Sequence, residues 1–380
     1  MKRIPVTLLT GFLGAGKTTL LNQLIQLPEL SGALVIINEF GSVGLDHNLI
    51  AASNEDDTVV EMSSGCLCCT IKGDLQKTLK DAPWRFAREG ERWFDRVIIE
   101  TTGLADPAPI IHTVMADEHL IETYSLAEVI TLVDGVNGDG TLDAQPEALK
   151  QAAVADTLLV SKTDIADPGA VEALKKRLRA INPAARILSV AQQAQDLMSL
   201  FGGAAFNPEL KGQDVLKWLD EEAYHEGHHH HHDDHGHDHH GHDHHHDHGH
   251  HDHDHHDHHH DVNRHDDRIA SVCMTIDQPL AAEIFDEWFG LLTTLKGVNM
   301  LRVKGLINLQ GMEKPLVVHG VQHIWHPPAM LPEWPSDDKR SRIVFIMRDM
   351  EKSDLEQMLT FVMERYESAR LDQAEGLLRR

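Results

Sequence analysis

Apolar and polar positions divide the chain into three parts. In the front part, short apolar runs alternate with amphipathic stretches. Residues 4–10 are apolar and β-branched, as a buried strand requires, and residues 19–25 follow with helical spacing. Further strands are predicted at 32–38, 58–62, 95–100, 127–134, 156–161 and 186–190. A helix opens across 73–79. Another starts at Asp167-Pro168 and stops at Asn182-Pro183. Near-continuous apolar strands separated by helices predict an α/β fold, a mostly parallel sheet with helices on both faces. Ligands then gather at the carboxyl ends of the strands. A last helix is expected at 214–222. The middle part is polar and low in complexity. The rear part predicts strands at 269–276, 300–309, 316–325 and 342–347 and helices at 280–295 and 354–369, a smaller α+β unit. The expected boundaries are 1–224, 225–267 and 268–380.

The first strand and helix enclose Gly11-Phe12-Leu13-Gly14-Ala15-Gly16-Lys17-Thr18, which matches G-x-x-x-x-G-K-[ST]. Strand, glycine loop and helix in that order make a phosphate cradle. Glycines let backbone N–H groups turn inward, and the helix N-terminus adds partial positive charge. The candidate nucleotide-binding residues are Gly11, Gly14, Ala15, Gly16, Lys17, Thr18 and Thr19. Lys17 supplies a point charge, and the Thr18 hydroxyl is a ligand for Mg²⁺.

Composition narrows the function further. The chain has 380 residues, 41% of them hydrophobic, enough for a real core. Its net charge of −26 argues against nucleic acid as the main partner. The N-terminal residues run straight into a strand, with no signal peptide visible, and no apolar run approaches the length of a membrane span. A cytoplasmic location is expected. Four cysteines, three of them within four residues, fit a metal or redox role in a reduced compartment better than a disulfide framework.

Of 30 histidines, all but His47, His112, His119, His319, His323 and His326 lie within 225–265, interleaved with aspartate. Such a segment cannot bury a core and is expected to be disordered without metal. Neutral imidazole is a common ligand for Zn²⁺, Ni²⁺, Co²⁺ and Cu²⁺. The run His228, His229, His230, His231 and His232 therefore offers weak, multiple metal sites that protonation near pH ~6.5 releases. The bland reading of this tract is a solvated acidic spacer.

Three more motifs carry chemistry. Glu100-Thr101-Thr102-Gly103 ends an apolar strand, where a nucleotide hydrolase places an acid near Mg²⁺. It takes the form of the GTPase D-x-x-G with Glu for Asp, and Gly103 is a candidate nucleotide contact. Ser161-Lys162-Thr163-Asp164 resembles the guanine motif N-K-x-D with Ser for Asn. Asp164 accepts from guanine N1 and N2, and Lys162 lies over the base; ATP stays open as a minor alternative. Cys66-Leu67-Cys68-Cys69 offers thiolates suited to Zn²⁺, Cu(I) or tetrahedral Co²⁺. There is no second Cys pair, because Cys273 stands alone in an apolar strand as a core residue. The best candidate to complete the site is Glu39, at the end of the second strand. The rival readings of the three thiols are small buried hydrophobes or a redox pair.

Together these motifs resemble, in order, the CobW-type P-loop GTPases: the glycine loop, Asn38-Glu39-Phe40-Gly41 with Gly44-x-Asp46, C-x-C-C, Glu100 to Gly103, and Ser161 to Asp164. The stretches Leu301-Arg302-Val303-Lys304-Gly305 and His319-Gly320-Val321-Gln322 resemble that family's second domain. The resemblance implies a P-loop NTPase fold and a slow GTPase that works as a metallochaperone, with GTP/GDP, Mg²⁺ and Zn²⁺ (or Co²⁺) as its cofactors. It implies that the thiolates bind the delivered metal beside the nucleotide. Asp46 and Glu100 are both candidates to position Mg²⁺ or water. The partners implied are a metal-requiring client protein and a possible second copy in a homodimer, with no nucleic acid and no membrane. Three rivals remain: a cobalt-handling factor for cobalamin synthesis, a zinc buffer with a structural nucleotide site, and a thiol redox enzyme.

Overall fold

The computed structural model describes residues 3–40, 59–64, 68–88, 90–190 and 269–378. The front part runs β1 (Ile4–Gly11), α1 (Lys17–Leu24), β2 (Ala33–Phe40), β3 (Val59–Ser64), α2 (Cys68–Arg85) and a hairpin of β4 (Ala87–Arg88) and β5 (Glu91–Arg92). It continues through β6 (Arg96–Thr101), α3 (Ala108–Ala116), α4 (Leu120–Thr123), β7 (Tyr124–Asp134), α5 (Gly138–Ala144), α6 (Pro146–Val154), β8 (Thr157–Ser161), α7 (Pro168–Ile181) and β9 (Arg186–Ser189). The strands order as β3-β2-β6-β1-β7-β8-β9, and every neighbouring pair is parallel. The sequence predicted a mostly parallel sheet; among the described residues this one is wholly parallel.

Period-2 alternation fills both faces of that sheet. Val97 and Ile99 pack with Val6, Leu8 and Leu34 in one core, while Ile98 packs with Leu9, Val35 and Leu132 in the other. Parallel strands put all their carboxyl ends on one edge. Register then fixes what stands together there: Leu9 and Ile37 both pair with Glu100, and Asn38 pairs with Thr101.

The rear part is β10 (Ile269–Ile276), α8 (Ala282–Lys296), β11 (Met300–Ile307), β12 (Leu316–Val321), β13 (Ile324–Trp325), β14 (Ala329–Met330), β15 (Ser341–Arg348) and α9 (Lys352–Leu378). It forms an antiparallel sheet, β10-β15-β11-β12-β13, with β14 beside β12. Alternation again separates the two faces. Val303, Ile343 and Phe345 pack under Trp288 of α8 and Leu355 of α9. Leu301, Val321 and Ile346 turn the other way and join the core of the front domain.

Charge is buried in that junction. Arg302 donates to Val154 O at 2.8 Å and also to Asp156, and Lys304 donates to Asp156 Oδ1 at 2.8 Å. The other Asp156 oxygen accepts from Val129 N at 3.0 Å. All three charged side chains are below 10% exposed, so the ion pairs are desolvated and either partner alone would be costly.

His319 of β12 is buried beside the same group. Burial holds its imidazole well below its usual range, and the nearby Lys304 and Arg302 add to this; the Asp156 carboxylate opposes it and His326 adds a little. The folded pKa thus lies below the unfolded value of about 6.5. The stability this contributes is complete above that pH and falls progressively below it. We expect the urea midpoint to drop between pH 7 and pH 5. The drop should be shallower in His319→Asn, measured by denaturant titration at each pH; equal slopes in the two proteins would contradict it.

The structure departs from the sequence reading in specific places. The helix expected across 73–79 begins at Cys68 and continues through Pro83 to Arg85. Pro83 lacks the N–H that would bond the carbonyl four residues back. Tyr124 replaces it, donating its hydroxyl to Leu79 O at 2.8 Å. The helices α3 to α6 had no counterpart in the pattern. In α3, Ile110, Ile111, Val114 and Met115 are all buried, along with His112 and Thr113, so no polar face marks a helical period. The strand expected at 316–325 is two strands, broken where Gln322 takes a left-handed φ of 55°. The helix expected at 214–222 and the His/Asp tract lie outside the described residues.

Candidate functional site

The glycine loop leaves β1 and enters α1 at the carboxyl edge. Gly16 is the residue before the helix, and its φ of 94° lies in the left-handed region open to glycine. Lys17 opens α1 and is buried, its ammonium donating to Gly11 O at 2.9 Å and Phe12 O at 3.3 Å. The charge is thereby held over the loop by two of its carbonyl oxygens.

Thr18 follows on the first turn of α1 and donates to Glu100 Oε1 at 2.8 Å. Glu100 is 5% exposed and held by β1 on one side and β2 on the other. A hydroxyl and a carboxylate oxygen meeting beside the glycine loop are hard oxygen donors of the kind Mg²⁺ takes. One residue further on, the Thr101 hydroxyl donates to the Thr10 hydroxyl at 2.8 Å, joining the two strand ends. Gly103 then passes so close to the loop that a Cβ there would lie 2.4 Å from Leu13 N. Only glycine permits that approach.

The loop that follows β8 is tied to the glycine loop from the other side. Ser161 donates to Ala15 O at 2.7 Å. The Ser that departs from the usual Asn thus links the two loops through its own short hydroxyl. Lys162 adopts a left-handed φ of 55°, and its ammonium meets Asp134 Oδ2 at 2.6 Å. Burial pushes the Asp134 carboxyl up. Hydrogen bonds from Lys162, Val136 and Asn137 outweigh that and leave it below its ordinary range. Asp164 is exposed at the outer end of the loop.

The metal candidates are placed unevenly. Glu39 lies at the carboxyl end of β2, in register with Ser63 and one residue beyond the Asn38–Thr101 pair. Cys68 and Cys69 open α2, four and five residues after β3 ends at Ser64 on the same edge. For these three the backbone alone is described. Asp46, Cys66 and His228 to His232 lie outside the described residues. Among the described residues, no group of three His, Cys, Asp or Glu is arranged to hold a metal ion. Cys273 is buried in β10 and packs with Leu306, Val317 and Val344, as a core residue.

Two residues of this edge had no place in the sequence reading. Asp134 carries the same signal as Glu100, an acid ending an apolar strand. Gln151 donates to Gly103 O at 3.2 Å and Ala105 O at 3.0 Å, holding the segment after Glu100 against α6. Its partners are backbone carbonyls, which leave no mark in the sequence.

A family model described as CobW/HypB/UreG, nucleotide-binding domain, matches residues 5–189. A second, described as cobalamin synthesis protein cobW C-terminal domain, matches residues 269–362. The chain belongs to the CobW family. It is 41% identical over 206 residues to the zinc chaperone YjiA of Escherichia coli, covering 54% of this chain and 63% of that protein. It is 34% identical over 201 residues to zinc-regulated GTPase metalloprotein activator 1 of Schizosaccharomyces pombe, covering 52% and 48% respectively. The chain therefore spans about half to three-fifths of the length of these curated relatives. Its fold matches a crystal structure of a zinc-bound triple mutant of the YjiA GTPase with a TM-score of 0.61 and 26% identity, over 95% of this chain and 99% of that one. The architecture is that of a P-loop NTPase joined to a C-terminal antiparallel domain. Among the described residues, no helix is long and apolar enough to cross a membrane.

Proposed function

We propose that the chain is a GTP-hydrolysing metallochaperone that holds Zn²⁺ at the C-x-C-C thiolates and releases it to a client protein under nucleotide control. The observation that carries this reading is the Thr18–Glu100 contact, at the edge where β2 ends just after Glu39 and α2 starts at Cys68. The names of the relatives, zinc chaperone and GTPase metalloprotein activator, point the same way.

In this reading Gly11, Gly14, Ala15, Gly16 and Thr19 cradle the phosphates, and Lys17 neutralises charge that develops on the γ-phosphate. Water attacks the γ-phosphorus and the bond to the β-phosphate oxygen breaks, giving GDP and phosphate. Thr18 and Glu100 would hold Mg²⁺, which would supply positive charge to offset that of the phosphates. Asp46 shares with Glu100 the task of positioning Mg²⁺ or water. Ser161 sets the base loop on the phosphate loop, while Lys162 and Asp164 select guanine. Cys66, Cys68 and Cys69 with Glu39 hold zinc as cargo, and the tract of 225–267 between the two folded parts gathers it through residues such as His228 to His232.

Replacing Cys66, Cys68 and Cys69 together by serine tests the metal half. We expect one tight zinc equivalent to be lost in a chelator competition on protein lacking 225–265, with GTP affinity unchanged. Retention of that equivalent would remove the thiolates from the account.

A further inference from the structure

The segment after Glu100 leads into α3, and α3 ends against the helix that carries the cysteines. At its start, Asp106 accepts from Ala108 N at 3.0 Å and pairs with Lys150 of α6 at 3.1 Å, while Gly103 rests on Leu13 of the phosphate loop. At its end stands Asp117. One carboxylate oxygen accepts from His119 N and Leu120 N, each at 3.0 Å, and caps α4. The other reaches across to α2, accepting from Gln76 and pairing with Lys80 at 3.1 Å. Tyr124, directly after α4, holds Leu79 O of the same helix. Midway along α3, His112 donates to Val321 O of the C-terminal domain at 2.9 Å and meets the ring of His323 at 4.7 Å.

The segment that leads into α3 thus lies against the phosphate loop at Gly103 and is tied to α6 by Lys150 and Gln151, the far end of α3 is tied to α2, and its middle bears on the second domain. Gln76 lies two turns beyond Cys68 and Cys69, about 10 Å along one continuous helix. A shift of α3 at Asp117 pulls on Gln76 and Lys80 of α2, because the carboxylate is shared between the α4 cap and those side chains.

We infer that Asp117 is a positioning residue that fastens α2 to the end of α3, so that α3 carries the nucleotide state from Gly103 to the helix bearing Cys68 and Cys69. This rests on the reading that nucleotide governs zinc binding at the thiolates, and it names the part that transmits the control.

Asp117→Asn separates the two jobs of this side chain. Asparagine caps a helix as well as aspartate does. Its amide, however, offers a donor to the donors of Gln76 and Lys80, and its charge is gone. The test is zinc affinity, by chelator competition on the full chain, with GDP and with a non-hydrolysable GTP analogue. We expect the two affinities to differ in the wild type by about tenfold or more, within the usual range of coupling between sites. In Asp117→Asn they should agree within about twofold, with GTP affinity, zinc-free turnover and melting temperature held near wild type. Gln76→Leu/Lys80→Met breaks the same link from the α2 side and should give the same loss, so a fold defect in either variant alone does not decide the matter. Coupling that persists in these variants overturns the α3 link and leaves nucleotide control standing. Equal affinities in the wild type overturn both.

Discussion

Lys17→Ala is expected to lower GTP turnover by about 10²–10³-fold, the usual cost of removing one preorganised charge from a transition state. Lys17 is buried at the start of α1 with its ammonium held over the loop by Gly11 O at 2.9 Å. The fold itself therefore fixes the position of this charge, and an ammonium on a mobile stem would contribute less. Alanine is a good helix former, so α1 should persist and the melting temperature should move little. Single-turnover hydrolysis with GTP in excess of its dissociation constant reads the effect. A loss below about tenfold would place the catalytic charge elsewhere. The variant also separates two functions. In a zinc buffer with a structural nucleotide site, zinc handling in cells would survive Lys17→Ala; under nucleotide-controlled delivery it fails together with turnover.

Asp156→Ala should destabilise the protein by about 3–5 kcal/mol, as breaking a buried ion pair from one side commonly does. Burial alone would raise the Asp156 carboxyl, but Arg302 and Lys304 more than reverse that and bring it down to about 2. With alanine there, two neighbouring buried cations of β11 lose their counter-charge from the other side of the junction, and Val129 N loses its acceptor. Urea unfolding at pH 7 measures the change. Replacing all three charged side chains at once by apolar ones, as Asp156→Leu/Arg302→Met/Lys304→Met, should recover most of the loss, since an apolar substitute avoids the desolvation cost. A triple variant as unstable as Asp156→Ala would show that the junction depends on the charges themselves.

The parts of this account that could be read from the chain are those governed by local chemistry. Buried parallel strands carry near-continuous apolar runs, so β1, β2, β6, β7 and β8 stood out. The glycine loop announced itself because phosphate binding demands backbone conformations and a lysine that few other sites need together. Thr18 and Glu100 came from the same logic, and their hydroxyl and carboxylate meet at 2.8 Å. Helices buried on every side left no period to find, which concealed α3, the helix on which transmission is now proposed to depend. Long-range contacts were equally silent. Asp156 and Arg302 are 146 residues apart, and nothing local in either segment anticipates that one partner serves the other. Ser161 looked like a defect in the guanine motif. The partner that explains it, Ala15 O, also lies 146 residues away in sequence.

The central claim is that nucleotide and zinc share one edge of the parallel sheet and that each senses the other. The most direct measurement is the reciprocal one: the affinity of the GTP analogue for the full chain, with the thiolate site loaded with zinc and with it stripped by chelator. Linkage requires that zinc change nucleotide affinity by the same factor by which nucleotide changes zinc affinity. The analogue is expected to bind about tenfold or more tightly to one zinc state than to the other, while GDP makes no such distinction. Identical analogue affinities with and without zinc would contradict it.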